Sequence, residues 1–173
     1  MQKAGWLLVR LGTASLIVLA MLSLSLSAYA FAPLYTRVFY NDWHFWRYWK
    51  RFLPLTLHLW KVASKLAFEP RYRKMTSFMR WKDWVAPPRS GPCRDTVQVS
   101  ANWPHPEESC GECSQCCERI DCPAHEPDNG LCSMYDSVFW HYFPCGRYPG
   151  SQQQIDYYEC PKWELIASDR KPE

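Results

Sequence analysis

Hydrophobic and polar positions divide the 173-residue chain into three unlike stretches. From Leu11 to Pro33 the sequence LGTASLIVLAMLSLSLSAYAFAP has no charged residue. As a helix such a run reaches about 34 Å, enough to cross a hydrocarbon core of about 30 Å. A buried core helix of that length would normally show a polar face. The pattern therefore predicts one transmembrane helix within an N-terminal anchor segment, 1–34. A cleavable signal peptide is the alternative, because Lys3 and Arg10 precede the run and Ala28-Tyr29-Ala30 fits the small-x-small cleavage pattern. Against it, the run exceeds the roughly 7–15 apolar residues of a usual signal sequence.

Residues 35–84 alternate aromatic and basic positions. Trp43, Trp46 and Trp49 recur every three residues and would line one side of a helix. Pro54 suits a first helical turn, after which Leu55, Leu59, Val62 and Leu66 form an apolar stripe. His58, Lys61 and Lys65 fall on another face. This is the pattern of an amphipathic helix lying in the membrane interface, the depth that Trp and Tyr favour. Interleaved aromatics and basic residues also suit nucleic acid, but directly after a spanning helix membrane lipid is the simpler partner. His44 and His58 read as interfacial side chains rather than ligands.

Beyond residue 84 the regular patterns thin out. The stretch 85–105 is rich in proline and polar residues and reads as a linker, with a short strand expected within 95–101. Residues 134–143 suit two or three helical turns, although their aromatics also fit a strand. Loops and short helices around cysteines are expected over 106–165, followed by a tail, 166–173.

Charge sharpens this division. Residues 34–83 carry eleven Lys or Arg against three acidic residues, whereas 84–173 carry seven against fourteen. Arg37, Arg47, Lys50 and Arg51 follow the apolar run closely, against only Lys3, Arg10 and the terminal amine before it. Positive flanks stay on the cytoplasmic side, so the C-terminal part is expected to be cytoplasmic.

Eight of the nine cysteines lie between Cys110 and Cys160, and the last 84 residues hold only eight Val, Ile or Leu. So thin an apolar core calls for disulfides or a metal. The motif Cys110-x-x-Cys113-x-x-Cys116-Cys117 uses twice the spacing that lets two sulfurs reach one metal. Cys122, Cys132, Cys145 and Cys160 are available as distant ligands. Side chains of the adjacent Cys116 and Cys117 point in different directions, so both do not easily serve one small site, and if Cys116 joins Cys110 and Cys113 a second site is open to Cys117. Eight sulfurs can make two four-cysteine sites, or one cluster with some cysteines left structural. Cys122-Pro123 resembles the end of a bacterial ferredoxin motif, but five residues rather than three separate it from Cys116. Disulfides remain the rival, though nine cysteines leave one unpaired. Cys93 is expected to be a free thiol. His125 and His141 are expected to pack or face solvent, and Glu107, Glu108, Glu112 and Glu118 to form a solvated acidic face. There is no glycine-rich phosphate loop, HExxH or GxSxG motif.

The order CGECSQCC, Cys122-Pro123, GLCSMYDSVFWHYFPCGRYP over 130–149 and YYECPKWE over 157–164 resembles the YkgJ-like cysteine-cluster family. The resemblance covers roughly residues 106–165. It implies a zinc- or iron-chelating domain with eight cysteines in a cytoplasmic setting, and no defined reaction. The metal ligands it implies are Cys110, Cys113, Cys116, Cys117, Cys122, Cys132, Cys145 and Cys160.

The expectation is a small, irregular, metal-stabilised cysteine-rich domain with short helices, preceded by one transmembrane helix and an amphipathic interfacial helix. The cofactor would be zinc or an iron–sulfur cluster. The role would be structural, in assembly or in electron transfer, with no catalytic residue of its own. Partners would be membrane lipid and a membrane or membrane-associated protein, and not nucleic acid. The place would be a bacterial inner membrane, crossed once, with the cysteine domain cytoplasmic. The alternatives are an exported disulfide-rich interaction module, periplasmic or secreted, and a redox enzyme subunit.

Overall fold

The apolar run does not fold as one helix. In the computed structural model, which describes residues 2–76, 81–104, 113, 115–126 and 128–166, α1 covers Gln2–Leu22 and starts well before the run does. By length and composition α1 is long and apolar enough to cross a membrane. It ends in a turn at residues 23–25, where Leu24 and Ser25 take positive φ. Short helices α2 (Leu26–Ala30) and α3 (Ala32–Tyr40) then double back. The expected continuous span to Pro33 is corrected here, and serines supply the reason. Ser23 Oγ donates to the Leu19 carbonyl at 2.6 Å and accepts from the Ser27 amide at 3.0 Å. Such side-chain bonds offer the backbone an alternative to the helical ladder.

The return is fixed by α4, Phe52–Phe68, which packs along α1. Ser25 and Thr56 are both buried, and their hydroxyls are bonded at 2.7 Å. Trp60 Nε1 donates to the Met21 carbonyl at 3.2 Å, and Tyr35 Oη on α3 donates to the Leu16 carbonyl at 2.6 Å. Thr56→Val keeps the volume but leaves the Ser25 hydroxyl with only a long contact of 3.3 Å to the Phe52 carbonyl. That change is expected to lower stability by about 1–2 kcal/mol, read as a fall of roughly 3–6 °C in thermal unfolding.

The amphipathic helix expected after Pro54 is present as α4, but its stripe is used differently. Leu55 packs on the core of Ala20, Ala28, Tyr35 and Phe52, and Val62 and Leu66 pack against Tyr72, Met75 and Tyr158. The face left exposed carries Leu53, Leu57 and Trp60. Trp43, Trp46 and Trp49 are also exposed. Two 3₁₀ turns, Phe45–Arg47 and Trp49–Arg51, replace the α-helix expected there. A helix of three residues per turn still stacks positions three apart on one side.

The chain continues through α5 (Pro70–Met75) and α6 (Trp81–Trp84) into the C-terminal half. There β1 (Val97–Val99) pairs antiparallel with β4 (Trp163–Leu165), Val97 opposite Leu165. The short strand expected within 95–101 thus joins residues on either side of the cysteine region. Between them lie α7 (Gln115–Arg119), the two-residue strands β2 (His125–Glu126) and β3 (Leu131–Cys132), α8 (Val138–Tyr142) and α9 (Gln152–Tyr158). Ser137 caps α8 by accepting from the Trp140 amide at 3.1 Å, and Ser151 caps α9. The described residues form a small, mostly helical domain with one apolar N-terminal helix.

The opposite charges of the two halves meet inside this domain. Arg51 Nη2 lies 2.8 Å from Glu126 Oε1 while its Nη1 donates to Ser133 Oγ at 2.7 Å, and Lys61 Nζ lies 2.7 Å from Asp121 Oδ2. These two basic residues pair with the acidic half of the same chain. Phe39 on α3 meets Phe139 on α8 with ring centroids 5.1 Å apart.

Candidate metal centre

A short hairpin brings Cys122 and Cys132 together. β2 and β3 pair antiparallel with Cys132 opposite His125, three residues after Cys122. The hairpin closes through Asn129 and Gly130, whose φ of 69° suits a residue without Cβ. Gly130 N donates to the Glu126 carbonyl at 2.8 Å, and Asn129 Oδ1 accepts from the Leu131 amide at 2.8 Å.

The two sulfurs have the same surroundings. The main-chain N–H groups of Ala124 and His125 act on Cys122 and those of Met134 and Tyr135 on Cys132, while the His125 and Tyr135 amides also bond to the Cys122 and Cys132 carbonyls at 3.0 Å. In both cases the donors lie two and three residues further along the chain. Paired N–H groups aimed at sulfur stabilise a thiolate. Cys117, on α7, donates its thiol to both sulfurs, and the Cys122 amide bonds back to the Cys117 carbonyl at 2.9 Å.

This arrangement divides the protons. The Cys117 bond, aided by the main-chain donors and opposed by burial, pushes Cys122 down to about 7. Cys132 is lowered for the same reasons, the Cys117 bond first. Cys117 is raised, because its proton is shared with two acceptors and burial disfavours its charge.

Cys116 turns away from its neighbour, as adjacent helical positions require. It packs with Tyr72, Tyr158, Ile120 and Tyr148. Burial pushes Tyr72 up to about 12 and raises Tyr148 and Tyr158 as well. Cys145 lies between the two groups. It is felt electrostatically by Cys122 and Cys132 on one side and by Tyr72, Tyr148 and Tyr158 on the other. The residue is exposed, yet burial raises its thiol strongly. Gly146, next in the chain, has no room for a side chain, since a Cβ there would collide with the carbonyls of Trp140 and Arg89.

Of the eight expected ligands, Cys117, Cys122 and Cys132 influence one another, Cys145 is affected electrostatically by the latter two, and Cys116 packs on the tyrosines. Cys113 is half-buried, and Cys160, also half-buried, follows α9 with its amide bonded to the Ile155 carbonyl at 3.0 Å. Cys110 lies outside the described residues, as do Glu107, Glu108 and Glu112. Among the described residues no group of three or more His, Cys, Asp or Glu is placed to hold a metal ion. The metal-stabilised character expected of the domain is therefore not visible in the described residues. What they do offer is a set of soft sulfur donors, two of which, Cys122 and Cys132, lose their protons more readily than an ordinary thiol. The eight described cysteines are all free thiols. Cys93 stands apart, its sulfur 3.6 Å from Asp95 Oδ2.

Neither histidine joins the sulfurs as a fourth donor. His141 lies between Asp136, at 2.9 Å from Nε2, and the Arg89 carbonyl, at 3.1 Å from Nδ1. His125 Nε2 lies 3.9 Å from Glu118. The hairpin and the tyrosine wall went unread in the sequence. Asn129-Gly130 between Glu126 and Leu131 is the signal that marks the hairpin. The tyrosines have no comparable signature, because Tyr72 is separated from Tyr148 and Tyr158 by more than seventy positions.

No family model, no curated protein and no solved structure matches the chain.

Proposed function

We propose that this protein is a membrane-attached metal-binding protein whose C-terminal domain holds zinc or an iron–sulfur centre through cysteine thiolates. The observation that carries the reading is the matched pair Cys122 and Cys132, each with N–H donors from the second and third residues after it. Cys117 and Cys145 are the nearest further ligands. Cys110, Cys113, Cys116 and Cys160 complete the set that the YkgJ-like resemblance implies. Bound metal would replace the Cys117 proton as the group shared between the sulfurs, and would contribute directly to folding of a domain with few aliphatic residues. The role is structural, in assembly or in electron transfer, with a membrane protein as partner. The basic flank after the apolar segment supports a cytoplasmic position at a bacterial inner membrane.

The reading has a pH signature. A ligand must be deprotonated to bind, so protons compete with metal. Cys122, at about 7, is thiolate above neutrality and thiol below it. Metal retention against a fixed chelator is expected to be full at pH 8 and to be lost on acidification, at a pH below the free-thiol value because bound metal itself holds the ligands deprotonated. Metal content after equilibrium dialysis across that range is the measurement. No metal at any pH contradicts the assignment. A visible absorption band that bleaches on reduction assigns iron–sulfur, and a colourless metal-loaded protein assigns zinc.

A further inference from the structure

We propose that the N-terminal apolar segment enters only one leaflet of the bilayer, as a helical hairpin, so that the N-terminus and the cysteine domain lie on the same side of the membrane. This rests on the membrane attachment proposed above and adds its topology.

Arg10 carries the argument. It is 0% exposed although it sits in an otherwise apolar helix. Its guanidinium donates to the Tyr142 carbonyl at 3.0 Å and the Trp84 carbonyl at 2.8 Å, and lies 5.1 Å from the centre of the Tyr142 ring. α1 is therefore tied to the C-terminal domain at Arg10. From Arg10 to Leu22, where α1 ends, a helix rises only about 18 Å, well short of the hydrocarbon core of about 30 Å. The chain then turns back, and α3 returns to α8 at the Phe39–Phe139 contact. Both ends of the hairpin are thus rooted in the cysteine domain, and between them Ala20 and Ala28 share a core with Ala124 and Met134, so the segment offers the bilayer one apolar face and no full span.

The exposed tip suits lipid. Leu22, Leu24 and Leu26 are 74%, 63% and 72% exposed, and no charged residue occurs between Leu11 and Thr36. Leu53 and Leu57 extend the same apolar surface along α4. Trp60 is bonded to Met21, and Trp49 lies 4.7 Å from Tyr29 between ring centroids, so indoles flank the tip. Lys50 and the exposed Arg47 adjoin Trp49 and suit anionic headgroups.

The test places a protease-cleavable tag at each terminus of the full chain and treats sealed vesicles from expressing cells with protease, with and without detergent. Flotation of the same vesicles first establishes attachment. Both tags are expected to be cut together, or protected together until detergent is added. One tag cut and the other protected overturns the hairpin and leaves membrane attachment standing. An N-terminus beginning after Ala30 also overturns it. Failure of the chain to float with the vesicles overturns attachment and hairpin alike.

Discussion

Cys122→Ser and Cys132→Ser are each expected to weaken metal binding, lower the bound metal and cause the largest stability loss of any single substitution. A structural zinc contributes roughly 10–16 kcal/mol of binding free energy in small domains, so one ligand of four accounts for about 3 kcal/mol. For a chain of this size that is a fall of about 6–12 °C in thermal unfolding. The replacement also puts a weaker acceptor in front of the paired N–H groups from Ala124 and His125, or from Met134 and Tyr135. Cys93→Ser is the control. Its sulfur is bonded to Asp95, apart from the other cysteines, and neither metal content nor unfolding should change. Metal analysis beside thermal unfolding reads both variants. Full loading of Cys122→Ser sinks the ligand assignment.

Arg10→Ala is expected to be nearly as damaging, by a different route. Two carbonyls, Tyr142 and Trp84, lose charge-assisted donors at 3.0 and 2.8 Å, and the Tyr142 ring loses its cation. A hydrogen bond to a charged group contributes about 1.5–3 kcal/mol and a cation over a ring about 0.5–2 kcal/mol. The cost of burying the guanidinium offsets part of this, leaving a loss of about 2–3 kcal/mol. Limited proteolysis should show α1 released first, with cleavage in the first ten residues that the native chain resists. Arg10→Lys restores the charge but not the two-pronged geometry, and should fall between the two. Unchanged protease resistance in Arg10→Ala contradicts the tie between α1 and α8.

Much of the outline was legible from pattern. The apolar N-terminal helix, the amphipathic helix after Pro54 and the strand within 95–101 are present, whereas the two or three helical turns expected over 134–143 shrink to the five residues of α8. The divergence of Cys116 and Cys117 followed from helical geometry. What could not be read depends on contacts between distant residues. Serine is tolerated within apolar helices, so nothing local marked Ser23–Ser25 as a turn until Ser25 met Thr56. Arg10 read as an orienting charge before a span, whereas its partners lie 74 and 132 residues away. The stripe of Leu55, Val62 and Leu66 was correctly seen as apolar. Periodicity cannot say whether such a stripe faces lipid or protein, and here it faces protein. The basic surplus of residues 34–83 read as lipid-facing, yet Arg51 and Lys61 are held by Glu126 and Asp121.

Elemental analysis of the full chain, purified without oxygen and titrated for free thiols before and after chelation, tests the metal assignment most directly. The account predicts stoichiometric zinc or iron, few reactive thiols in the loaded protein, and release of the cluster cysteines when the metal is removed. A metal-free protein whose cysteines are paired as disulfides would contradict it.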